Sequence, residues 1–263
     1  MKKLLKIEFI KLNKLLSIKI IFLAYMLVVP CWMFFMNWFF KMNPALKQIF
    51  TSHNLFEFPY VWSFTTYSAS FFNILLAVII VSITTMEIQA KTMRQNVIDG
   101  LTTKQVITSK FIVIFLLALL ATLYTGLCAF IIGSITSGVG NFYANSHLVF
   151  LYFIQALGYF SFAFLFALLI KRSALAIVLF IVYFPVETIV GNIISSKLYQ
   201  FFPLKVYADL TPTPFFQQLL KMSEKETGNA VWVMNMNEKV LLSLFYILVC
   251  FFITNFYLKK KDF

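Results

Sequence analysis

Six charged residues, Glu87, Lys91, Arg94, Asp99, Lys104 and Lys110, share one short stretch of a chain that is almost free of charge on either side of it. Charges of both signs at such spacing suit pairing, with each other or with a partner's surface, rather than bond-making. A second ionisable group, Glu187, follows Pro185 in the run "IVYFPVETIVG". A charge at mid-bilayer costs at least ~2.5 kcal/mol on insertion scales unless it faces protein or water, so Glu187 is expected to face inward. Groups arranged for catalysis are missing from the sequence. It has no HExxH, no paired aspartates in an apolar run, no Ser/His set at reactive spacing and no Gly-x4-Gly-Lys-Ser/Thr to cradle a phosphate. Cys31, Cys128 and Cys250 stand apart within apolar runs without CxxC spacing, and His53 and His147 lack a partner at ligand spacing, which argues against a metal site. The chain therefore reads as not itself catalytic.

The elements that must position these groups follow from the solvent. With 61% hydrophobic residues, 12% charged residues and a mean hydropathy of +0.86, the composition lies outside the range of soluble globular domains. The expected fold class is an all-α integral membrane protein. Period-two alternation is absent, and unpaired backbone amides cannot lie in hydrocarbon, so helical spans are favoured over a barrel. A bilayer-crossing helix needs roughly 20 apolar residues. Nearly charge-free windows of that length fall at about 20–40, 65–86, 111–136, 148–170, 174–195 and 240–258, giving six spans within a transmembrane domain over 20–263.

Lysine and arginine placement orients the bundle. Residues Lys2, Lys3, Lys6, Lys11, Lys14, Lys19, Lys91, Arg94, Lys104, Lys110, Lys171, Arg172 and Lys259 to Lys261 fall on one side, 15 of the 22 basic residues. That side is expected to be cytoplasmic and to hold both termini, in a multi-pass protein of the cell (inner or plasma) membrane. Trp38, Trp62 and Trp232 fall near the expected outer ends of spans, where amphipathic rings prefer the interface. The net charge of +12 is read as positive-inside topology and attraction to anionic membrane lipids, not nucleic-acid binding.

Residues 1–19 form an amphipathic pattern, with Lys2, Lys3, Lys6, Asn13 and Lys14 on one arc and Leu4, Leu5, Ile7, Phe9, Leu12, Leu15, Leu16 and Ile18 opposite. The expectation is an interfacial helix on the cytoplasmic leaflet. Within the charged stretch, 86–97 lacks Gly and Pro and reads as a helix extending the second span. Asp99-Gly100 signals a turn, and Thr102 with Gln105 forms a capping-box pattern that starts the third span. A short helix is thus expected below the membrane, displaying charges of both signs, or else a solvated loop whose charges only keep it out of lipid.

These residues resemble the first cytoplasmic loop of the permease subunits of type-2 ATP-binding-cassette (ABC) exporters, which shows a glutamate, a Lys-Thr or Gly-Thr pair, an arginine, a turn, and a lysine opening the third span. Here those are Glu87, Lys91-Thr92, Arg94, Asp99-Gly100-Leu101, Thr102 and Lys110. Where the family carries an arginine after the turn's Ser/Thr, this chain has Thr103 followed by Lys104. The start "KIEFIKL", the six-span plan, the segment "FPLKVYADLTPTPF" and the end "YLKKKDF" extend the resemblance along the chain.

The resemblance implies that Glu87, Lys91, Thr92, Arg94, Asp99, Gly100 and Lys104 form a coupling helix. On it would dock cytosolic ABC ATPase subunits, which bind ATP and Mg, while a second permease subunit, identical or homologous, completes the path. It also implies short re-entrant helices after the fifth span, which suits a broken segment between Pro185 and Pro214. Glu187 and Pro185 then belong to a path or gate, or Glu187 pairs structurally with Lys197 or Lys205. The Phe-rich spans suit export of an apolar or amphipathic cargo such as a drug, lipid or peptide. The competing reading is a stand-alone membrane channel or intramembrane protein without an ATPase.

Overall fold

A computed structural model describes residues 15–42, 55–214 and 234–260, and among them every regular element is a helix. In chain order these are α1 (Leu16–Met42), α2 (Tyr60–Gln89), α3 (Thr92–Ile98), α4 (Thr103–Ser137), α5 (His147–Ile170), α6 (Ser173–Ile193), α7 (Ser196–Tyr199), α8 (Pro203–Ala208) and α9 (Met236–Lys260). Six of them, α1, α2, α4, α5, α6 and α9, are long and apolar enough to cross a membrane.

The six correspond to the six expected windows, but most run further. With 35 residues, α4 is about 52 Å long at 1.5 Å per residue. That exceeds the ~30 Å hydrocarbon thickness, so the helix is longer than the bilayer's apolar core needs. Hydropathy marks only the lipid-immersed part of such a helix. At the N-terminus α1 already begins at Leu16, so residues 16–19 are continuous with the first span; residues 1–14, which carry most of the expected interfacial helix, lie outside the described residues.

Most of α5 and over half of α2 is buried, while α1, α6 and α9 turn broad apolar faces outward. The two central helices pack on each other through small residues. Ala156, Ala163 and Ala167 on α5 and Ala69 and Ala77 on α2 are fully buried, letting backbones approach where packing, rather than water exclusion, holds helices together. Several hydroxyls on the long helices bond back to the preceding turn: Thr66 and Thr85 on α2 donate to the Trp62 and Val81 carbonyls, and Thr122 on α4 to Ala118.

One polar cluster crosses the core. The Tyr25 hydroxyl on α1 lies 2.9 Å from that of Tyr152 on α5 and 3.3 Å from Thr125 Oγ1 on α4, and Tyr152 donates to Asn73 Oδ1 on α2 at 2.7 Å. All four residues are buried. The Tyr124 hydroxyl of α4 also donates to the Met26 carbonyl. These bonds fix α1, otherwise held by apolar contact, against the central pair.

Candidate functional site

The charged stretch forms the link between α2 and α4 at one end of the bundle. Glu87 sits in the last turn of α2 and is 6% exposed; Lys110, in the third turn of α4, is 5% exposed. The Lys110 ammonium donates to Glu87 Oε1 at 2.5 Å, bridging the two long helices just where the link begins. Glu87 therefore differs from the displayed charge expected for it: the residue faces the interior because the α2–α4 hairpin brings a lysine opposite. Nearby, the Gln89 side-chain amide donates to the Lys171 carbonyl at 3.2 Å and ties this end to the α5–α6 turn.

Beyond Gln89 the single helix expected over 86–97 is broken. Lys91 adopts a left-handed conformation, with φ 56°, and Thr92 opens α3 with its hydroxyl donating to the Glu87 carbonyl at 3.2 Å. That bond satisfies one of the carbonyls left over at the α2 terminus. The helix α3 is anchored by Met93, buried in the central core, while Lys91, Gln95, Ile98 and Asp99 are exposed; Arg94 lies within α3. Gln95 donates to Asp99 Oδ1 at 3.0 Å.

Both ends of the following turn are capped. Gly100, at φ 96°, donates its amide to the Val97 carbonyl, and Leu101 donates to Asn96, the paired bonds of a Schellman ending that a residue with Cβ would strain. Thr102 Oγ1 accepts from the Gln105 amide while Gln105 Oε1 accepts from the Thr102 amide, so the capping box starts α4. Lys104 is exposed in its first turn.

At the other end of the bundle, α6 continues through Pro185 and breaks only after Ile193. Pro185 is exposed on α6, and Glu187 is 3% exposed. The Glu187 carboxylate accepts from the backbone amides of Lys205 at 2.7 Å and Leu204 at 3.3 Å, capping the start of the short helix α8. The Lys205 ammonium turns instead to Asp209 at 2.5 Å, and Asp209 also accepts from Lys239 at the start of α9 at 3.0 Å.

The hairpin of α7 and α8 is seated by two close approaches. A Cβ at Gly158 would stand 2.3 Å from the Tyr207 ring, and one at Gly191 would stand 2.4 Å from the Tyr199 ring. Gln155, buried within α5, donates to the Tyr207 carbonyl at 3.0 Å and to Thr211 Oγ1 at 2.8 Å. Sequence reasoning did not single out Gln155, Asp209, Lys239 or the glycine seats. A lone amide in the middle of an apolar run was the available signal.

The family model for the ABC-2 family transporter protein matches residues 4–187. The chain belongs to the ABC-2 transporter family. It is a permease-type, multi-pass membrane protein, a transport subunit rather than a catalyst, of a family whose members associate in general with an ABC ATPase. The matched residues include α3 and both its flanking helices and end at Glu187, so the α7–α8 hairpin and α9 lie outside them. Comparison with curated proteins and with solved structures gives no match.

Proposed function

We propose that this ABC-2 permease is the membrane half of an exporter, in which α3 and its flanking turns are the coupling surface for separate cytosolic ATPase subunits. The observation that carries the reading is the buried Glu87–Lys110 pair: it locks the roots of α2 and α4 together, so force applied to α3 is delivered to two spans rather than absorbed in a loop. Lys91, Gln95, Asp99 and Lys104 are the exposed polar contacts of that surface. Thr92 and Gly100 shape its backbone, Arg94 adds charge, and Glu87 acts from behind as a positioning residue. ATP and Mg²⁺ belong to the ATPase chains.

A second permease subunit completes the path, packing on the sparsely buried faces of α1 and α6. Those faces are apolar, with Phe34, Phe35, Val178, Val182 and Ile189 exposed, which fits an apolar or amphipathic cargo such as a drug, lipid or peptide. Anionic lipid headgroups neutralise the basic residues at the α3 end. Glu187 holds α8 in place as a closure at the far end.

Exchanging two exposed charges tests the coupling surface without altering net charge or the positive-inside signal. Lys91→Glu combined with Asp99→Lys is expected to insert normally but to lose the copurifying ATPase and export of a fluorescent amphipath. Wild-type levels of both would leave the loop a solvated linker and favour a stand-alone membrane protein.

A further inference from the structure

Ile98 is 76% exposed, yet it lies in none of the helices long enough to span a membrane. Ile135 and Ile193, exposed to a similar degree, lie on the long helices, and the exposed aliphatics off those helices, Leu198 and Val139, are less exposed and lie at the opposite end of the bundle. Ile98 ends α3, one residue before the Asp99-Gly100 turn. Its position is not that of a loose loop. Met93 pins the opposite face of α3 in the core, the Schellman bonds fix the backbone on the far side, and the Gln95–Asp99 hydrogen bond holds the neighbouring side chains.

The charges around it are uneven. Lys91 and Lys104 are exposed and Arg94 is on the same short helix, whereas Glu87 is turned inward against Lys110, leaving Asp99 as the exposed acid of the stretch. A single fixed isoleucine within a net basic rim complements an apolar pocket edged by carboxylates. Buried apolar anchors of this kind, ringed by weaker polar contacts, dominate protein interfaces.

We infer that Ile98 is the apolar anchor by which the chain seats in its ATPase subunit, entering an apolar pocket with an acidic rim. The inference rests on the coupling reading above. Its test uses the full chain with the ATPase subunit that copurifies with it. Ile98→Asp is expected to insert and elute as the wild type does but to lower ATPase retention at least about tenfold, while Ile98→Met retains it. In inside-out vesicles, Ile98→Cys in a chain carrying Cys31→Ala, Cys128→Ala and Cys250→Ala is expected to react with an impermeant maleimide, and to be protected when that ATPase is added. Retention of the ATPase by Ile98→Asp, together with its loss from the Lys91→Glu/Asp99→Lys chain, overturns the anchor and leaves the coupling reading standing. Retention by both overturns both, as does a wild-type chain that brings down no ATPase. A cysteine at 98 that is unreactive before the ATPase is added places the residue in lipid or against the chain itself, and overturns the anchor.

Discussion

Two carboxylates a hundred residues apart, Glu87 and Glu187, are equally hidden and differently held. Glu87 meets an ammonium, Lys110, donated from another long helix; Glu187 meets two neutral backbone amides at the start of α8. The first arrangement joins two spans of 30 and 35 residues through a mutual charge neutralisation. The second orients a six-residue helix and leaves the lysine beside it, Lys205, to a separate acid, Asp209. One end of the bundle is thus built to be stiff, and the other to carry a small element whose seat depends on hydrogen bonds and on two tyrosine rings lying over glycines.

The sharpest way to break this contrast is to remove one partner from the charged end. Lys110→Met leaves the Glu87 carboxylate buried without its ammonium, a change that costs about 3–5 kcal/mol in known buried pairs. Thermal denaturation in detergent should show a large loss of stability and poor assembly. Adding Glu87→Met to Lys110→Met should restore most of it, because replacing both members of a buried pair by apolar residues of similar volume is often near neutral. A double variant as unstable as the single one would mean that the pair does not hold the α2–α4 root.

At the other end the expected effect is smaller. Glu187→Gln keeps one acceptor oxygen, so it forfeits part of a charge-assisted capping interaction worth about 1.5–3 kcal/mol per bond. We expect intact insertion, modest destabilisation, and faster amide exchange at Leu204 and Lys205. Exchange unchanged at those amides would show that the glycine seats and Gln155, rather than Glu187, fix α8. Least of all should follow from Thr102→Ala, which removes one half of the capping box, at about 1 kcal/mol. Its signature is local: faster exchange at the Gln105 amide with global stability nearly unchanged. A global loss would place the α3 turn, not the ion pair, at the foundation of that end.

How far the sequence foretold this architecture depends on the range of the interaction. The six spans were legible because twenty-residue apolar windows are a local property, as were the Asp99-Gly100 ending and the Thr102–Gln105 box, whose chemistry acts within four residues. The break at Lys91 was not, since Ala-Lys-Thr contains no glycine and its left-handed residue is stabilised by a hydroxyl reaching back to Glu87. Pairings across helices were also hidden. Helical periodicity places Glu87 and Lys110 on faces of their own helices without stating that the faces meet, and it cannot choose for Glu187 between the Lys205 ammonium and the Lys205 amide. The amide wins because Pro203 starts α8 beneath the carboxylate, leaving the first N–H groups without partners in the helix.

The proposed coupling role requires the end bearing α3 to face the compartment that holds ATP. Single cysteines at Gln95, exposed on α3, and at Asn141, exposed in the α4–α5 turn, report on the two ends directly once Cys31, Cys128 and Cys250 are replaced by alanine. In intact cells an impermeant maleimide should label the cysteine at 141 and reach the one at 95 only after permeabilisation. Labelling of 95 from outside, with 141 protected until lysis, would put the α3 surface beyond the reach of any cytosolic ATPase and contradict the account.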